Sequence, residues 1–146
     1  MSNPPASIFK AYDIRGIAGS DIDEATARDI GRAFARVIAD FAGKTTSDLT
    51  LGLGRDMRNE APALAESYAS GMSDEGARVL DAGMVGTEQL YHLVAANDLD
   101  GGIMCTASHN PARYTGAKMV AAGALPLSGD RGIGEIRDLI AAGLPD

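Results

Sequence analysis

The chain has 146 residues, 20 acidic against 13 basic for a formal net charge of −7, and 45% hydrophobic content. That length suits one domain able to bury its own core, the acidic balance offers no basic stripe for nucleic acid, and no apolar run approaches the ~18 residues of a membrane span. A single cysteine, Cys105, and an N-terminus (MSNPPASIFK) without the pattern of a secretory signal point to a reducing, cytoplasmic setting.

Segment 22–41 places Ile22, Ile30, Ala33, Phe34, Val37, Ile38 and Phe41 at the spacing of an amphipathic helix. Ser20 and Asp23 stand close to a capping-box arrangement at its start, and Gly43 follows its end. Residues 48–53 (DLTLGL) read as a buried strand, 61–72 as a helix with Pro62 in its first turn, and 78–81 as a second strand. A helix over 87–96, a strand over 102–106 (GIMCT), a strand over 116–121 (GAKMVA) and a helix over 132–142 complete the pattern. The alternation predicts a three-layer α/β/α sandwich around a mostly parallel, four-stranded mixed sheet. Ligands of such sheets gather beyond the carboxyl ends of the strands. Residues 55–58, 106–113 and Lys118 fall near such ends.

Ser108 and His109 are adjacent in TASHNP, but a regular strand would point them to opposite faces. The flanks Thr106 and Asn110 do not make the G-x-S-x-G elbow of a serine hydrolase. The other histidine, His92, lies inside a predicted helix and reads as structural. GLGRDM at 52–57 begins like a dinucleotide fingerprint but lacks its last glycine. Arg55 and Arg58 are suited to binding phosphate, and equally to pairing with Asp56 and Glu60 at the surface. Asp21, Asp23 and Glu24 lie where carboxylates cap a helix rather than hold a metal. Asp98 and Asp100 read as turn residues, and Cys105 as a small core hydrophobe. Lys118 interrupts an apolar stretch, either on the solvent side of an edge strand or facing a polar pocket. Arg15, in YDIRGI, is similarly open.

Taken together, FKAYDIRGI (9–17), GLGRDMR (52–58) and TASHNPARYTGAK (106–118) resemble the α-D-phosphohexomutases, the family of phosphoglucomutases and phosphomannomutases. The resemblance implies that residues 1–146 form a single domain, the first of four in a longer enzyme. The D-x-D-x-D, G-E-x-S-G and R-x-S-G-T loops of the other three are absent from this sequence. It implies that Ser108 carries a phosphoryl group exchanged between the 1- and 6-positions of a hexose phosphate, glucose or mannose. The phosphoserine would ligate Mg²⁺, whose remaining ligands come from the second domain. Lys118 is then the general acid/base, His109 assists proton movement, Arg15, Tyr12, Asn110 and Lys118 contact phosphate or substrate, and Asn110 also holds the loop. The partners implied are the substrate and the enzyme's other domains, with no nucleic acid and no membrane, and the domain alone is expected to be inactive. Thr115 and Cys105 depart from the family's usual asparagine and branched residue. The competing reading is a non-catalytic α/β module that binds a phosphosugar or a partner chain.

Overall fold

The computed structural model describes residues 2–107 and 110–145. In chain order these form β1 (Ile14–Ile17), α1 (Glu24–Ala42), β2 (Thr50–Arg55), α2 (Ala61–Asp74), β3 (Arg78–Met84), α3 (Thr87–Ala96), β4 (Gly101–Cys105), β5 (Tyr114–Ala121), β6 (Leu125–Pro126) and α4 (Ile133–Ala142). None of these helices is long and apolar enough to cross a membrane.

The first helix begins later than its apolar pattern. Asp23, extended rather than helical, is its N-cap, and its carboxylate accepts the Thr26 amide at 2.8 Å. That bond holds the Asp23 carboxyl below its ordinary range. Ser20 therefore lies outside the cap, and Ile22 is buried ahead of the helix. Gly43, at φ 65°, ends α1 in the left-handed conformation that suits glycine. α1 and α2 cross with their backbones nearly touching. A Cβ on Gly31 would overlap the Tyr68 carbonyl oxygen, and one on Gly71 that of Arg28.

The sheet runs β1-β5-β4-β2-β3, with β6 paired to the far part of β5. β2 is parallel to both β3 and β4, whereas β5 is antiparallel to β4, β1 and β6. The three-layer sandwich is as expected, and three of the four strands read from the sequence are mutually parallel. The sheet nevertheless has six strands rather than four. β1 and β6, at four and two residues, are too short to carry a periodic signal and exist through their pairing with β5.

Two cores of unequal size sandwich the sheet. Under α1, α2 and α4, residues including Ile14, Phe34, Leu51, Ile103, Ala117 and Ile136 form one large cluster. On the opposite face Leu90, Val94, Leu99, Met104 and Val120 form a small one under α3. α3 packs on β2, on β4 and on the short turn Ala122–Ala124 that follows β5. Alternation then puts Arg15, Ile17, Tyr114 and Lys118 on that same face, where each is half-buried.

Candidate functional site

The site assembles at the carboxyl ends of β2 and β4. Arg55 and Cys105 are register partners there, and the Asp56 amide donates to the Cys105 carbonyl at 3.1 Å. The chain leaves β4 through Thr106 and Ala107, both buried, with the Thr106 amide bonded to the Gly116 carbonyl of β5. It returns through Asn110 and Pro111. The Ala107 carbonyl accepts from the Asn110 amide at 3.2 Å and from Asn110 Nδ2 at 2.7 Å. Ser108 and His109, the expected phosphoryl carrier and its neighbour, lie outside the described residues.

Arg58, from the connection between β2 and α2, reaches the returning limb of this loop. Its Nη1 donates to the Pro111 and Tyr114 carbonyls at 2.7 and 3.2 Å, and its Nη2 to the Asn110 carbonyl at 2.7 Å. Its Nε faces Asp56 Oδ2 at 3.2 Å. The pairing with Asp56 that the sequence left open is present, but at a largely buried side chain rather than at the surface, and the bonds to three carbonyls fit neither reading. Side-chain-to-carbonyl bonding across some 50 residues leaves no local spacing to detect.

On the other side of Asn110 stands Arg15. Its Nη1 approaches Asn110 Oδ1 at 3.5 Å, and its Nε lies 3.3 Å from the buried Asp13 carboxylate. Lys118 is the register partner of Met104, and its ammonium makes no hydrogen bond or ion pair among the described residues. β5 is an interior strand, so the edge-strand reading of Lys118 fails. Its side chain leaves the face that also bears Arg15, which pairs across β1 and β5 with Gly116, two residues before it. Tyr12 is 76% exposed just ahead of β1.

Two open depressions flank the loop. One, of about 620 Å³, is lined by Asp56, Arg58, Glu60 and Thr106; the other, of about 460 Å³, by Lys10, Arg15, Asp21 and Arg113. Asn110 lines both. Lys10 and Arg113 thus add cations beside Arg15 that the sequence reading did not single out, although they lie within the segments 9–17 and 106–118; the Arg113 guanidinium sits 5.2 Å from the Tyr114 ring centroid.

Of the remaining candidates, Asp21, Asp100 and Cys105 take structural roles. Asp21 accepts the Ile17 amide at 2.9 Å. Asp100 does more than shape a turn, accepting from Lys44 Nζ at 2.8 Å and from the Thr50 amide at 2.9 Å. His92 is exposed on α3. Burial pushes the Cys105 thiol up to about 12, so it stays protonated at neutral pH and inert as a nucleophile. Thr115, itself buried, lies close enough to that thiol to offset part of its shift, so the two departures from the family pattern are neighbours. Among the described residues no group of three or more His, Cys, Asp or Glu could hold a metal ion.

Comparisons with known proteins all point one way. A family model described as phosphoglucomutase/phosphomannomutase, alpha/beta/alpha domain I, matches residues 6–144. A phosphomannomutase of Vibrio cholerae is 43% identical over 131 residues, which are 90% of this chain and 28% of that protein. One of Klebsiella pneumoniae is 42% identical over 131 residues, 90% of this chain and 78% of that protein. The crystal structure of a phosphoglucomutase/phosphomannomutase family protein from Burkholderia thailandensis matches with a TM-score of 0.86 at 36% identity, over 96% of this chain and 31% of that one. The chain therefore spans less than a third of the length of the Vibrio and Burkholderia proteins.

Proposed function

The chain belongs to the phosphoglucomutase/phosphomannomutase family, as its alpha/beta/alpha domain I, and from this we propose that it is the domain of a phosphohexomutase that carries the phosphoryl group on Ser108. One observation carries the reading: the backbone on either side of Ser108 is tied together, Asn110 to Ala107, where the strands β2 and β4 end, with Arg58 and Arg15 both engaging Asn110. A loop so held can present a hydroxyl in line with a phosphorus atom, which is most of what phosphoryl transfer asks of a protein.

In the proposed reaction a hydroxyl oxygen of a glucose or mannose phosphate attacks the Ser108 phosphoryl group. A new P–O bond to the sugar forms as the P–O bond to serine breaks. Lys118 takes the hydroxyl proton, and His109 returns one to the serine oxygen. The bisphosphate then turns over and hands its other phosphoryl group back to Ser108. Arg15, Tyr12 and Asn110 contact phosphate.

Mg²⁺ is the proposed cation, but the described residues contain no ligand set for it. Beyond the phosphoserine, its ligands are assigned to the other domains, and none of the steps above is routed through it. The same division implies negligible mutase turnover by these residues alone. A cytoplasmic location is proposed on the lone, buried Cys105.

The test is to incubate the chain with a hexose 1,6-bisphosphate and Mg²⁺, then follow intact mass and map the modified peptide. The expected outcome is slow, stoichiometric phosphorylation of Ser108, lost in Ser108→Ala, without repeated turnover. Phosphate on another serine defeats the assignment. Saturable sugar-phosphate binding with no transfer instead supports the non-catalytic module.

A further inference from the structure

We propose that Arg58 is the positioning residue of the Ser108 loop, acting through the main chain of the limb that returns from the serine. This inference rests on the reading of Ser108 above, for its catalytic consequence though not for its geometry.

An arginine offers five N–H donors in a planar fork. Here the two terminal nitrogens serve the carbonyls of Asn110, Pro111 and Tyr114, and Nε serves Asp56. The side chain is only 15% exposed, and charge-assisted bonds made out of water are strong ones. Without it, three carbonyls of the returning limb would lose the one charged donor they share, even though that of Pro111 lies where water can reach it.

Asp56 is itself held. Its Oδ1 accepts the Arg58 amide at 3.1 Å, and its own amide donates to Cys105 at 3.1 Å. A continuous path of hydrogen bonds therefore runs from the last residue of β4, through Asp56 and Arg58, to the limb on the far side of Ser108. It closes the loop on itself. Lysine, a point donor on a flexible stem, cannot span three carbonyls and a carboxylate at once. In-line transfer tolerates little displacement: an error of about 1 Å can cost about a hundredfold in rate.

Arg58→Lys and Arg58→Met are compared with the parent chain, with Arg137→Ala as control because that arginine pairs, among the described residues, only with its exposed neighbour Asp138. Amide hydrogen exchange is read at Asn110 and Tyr114, bonded within this loop to Ala107 and Pro111, and at Thr106, which ties its start to Gly116 of β5, with β2 and α1 for reference. Both Arg58 variants are expected to speed loop exchange about tenfold or more, with β2 and α1 unchanged, and guanidinium ion below its denaturing range restores protection in Arg58→Met. Ser108 phosphorylation from the hexose bisphosphate slows about a hundredfold in parallel.

Unchanged loop exchange in Arg58→Met overturns the inference. So does a loosened loop whose serine is phosphorylated at the parent rate. If the variant unfolds, Arg58→Lys and the exchange of Asp56→Asn carry the same decision. Failure of the parent chain to label at Ser108 strikes the proposed function instead, and the exchange data still decide the role of Arg58.

Discussion

The two faces of the sheet are built to different standards. On one, three helices cover the strands and a continuous cluster runs from Ile8 to Leu144. On the other, the ten-residue α3, with the short turn Ala122–Ala124 beside it, covers β2 and β4, and the cluster has five buried side chains. Where that helix stops, the sheet carries Arg15 and Lys118 in place of aliphatic residues. A cation on a sheet needs access to water or an anion, so it is tolerated only where the helical layer is incomplete. Stability thus resides mainly on one face, and the candidate chemistry occupies the thin part of the other.

Identical deletions on the two faces give the sharpest test. Leu51 and Leu90 are both fully buried, in the large and small clusters respectively. Leu51→Ala is expected to cost about 4 kcal/mol in urea unfolding, and Leu90→Ala about 3 kcal/mol, because the thinner layer collapses more readily into the space left. Equal losses would erase the distinction.

A smaller effect belongs to Glu75, which ties the thick layer together at its rim. Its carboxylate accepts from Arg32 Nε at 2.8 Å and from Arg36 Nε at 2.7 Å, and both arginines also donate to the Pro145 carbonyl. Burial alone would raise the carboxyl, but the hydrogen bonds from Arg36 and Arg32 hold it below its ordinary 4.5. A carboxyl lowered in the folded state stabilises fully above its unfolded value and loses that contribution as pH falls through the folded one. Glu75→Gln is expected to cost about 2 kcal/mol at neutral pH. The gap from the parent should close on acidification below pH 4.5; a gap that stays constant with pH would show that the charge is not what matters there.

Lys118 should show the least. Because it is half-buried and unpartnered among the described residues, Lys118→Met is expected to leave unfolding within about 0.5 kcal/mol of the parent. Phosphoryl transfer to Ser108 should fall about a hundredfold in the same protein, the scale of a lost acid/base group. A large stability loss with unchanged transfer would place Lys118 on the structural side of the comparison.

Local chemistry accounts for what is legible along the chain. The spacing over residues 87–96 predicts a helix, and one forms with those bounds; Asp23 and Gly43 delimit α1 through bonds within a few residues of themselves. The family pattern around Ser108 is legible for the same reason, being a property of adjacent residues. What lies beyond reach depends on residues far apart in sequence. β1 is a strand only because Tyr114–Ala117 lies beside it, and β5, which carries Lys118, is interior only because β1 and β6 pair with its other flank. Arg58 is recognisable as a cation, but its target is a set of main-chain oxygens some 50 residues away. Carbonyls carry no mark of their partner in the sequence, so tertiary structure alone decided that this charge holds the loop.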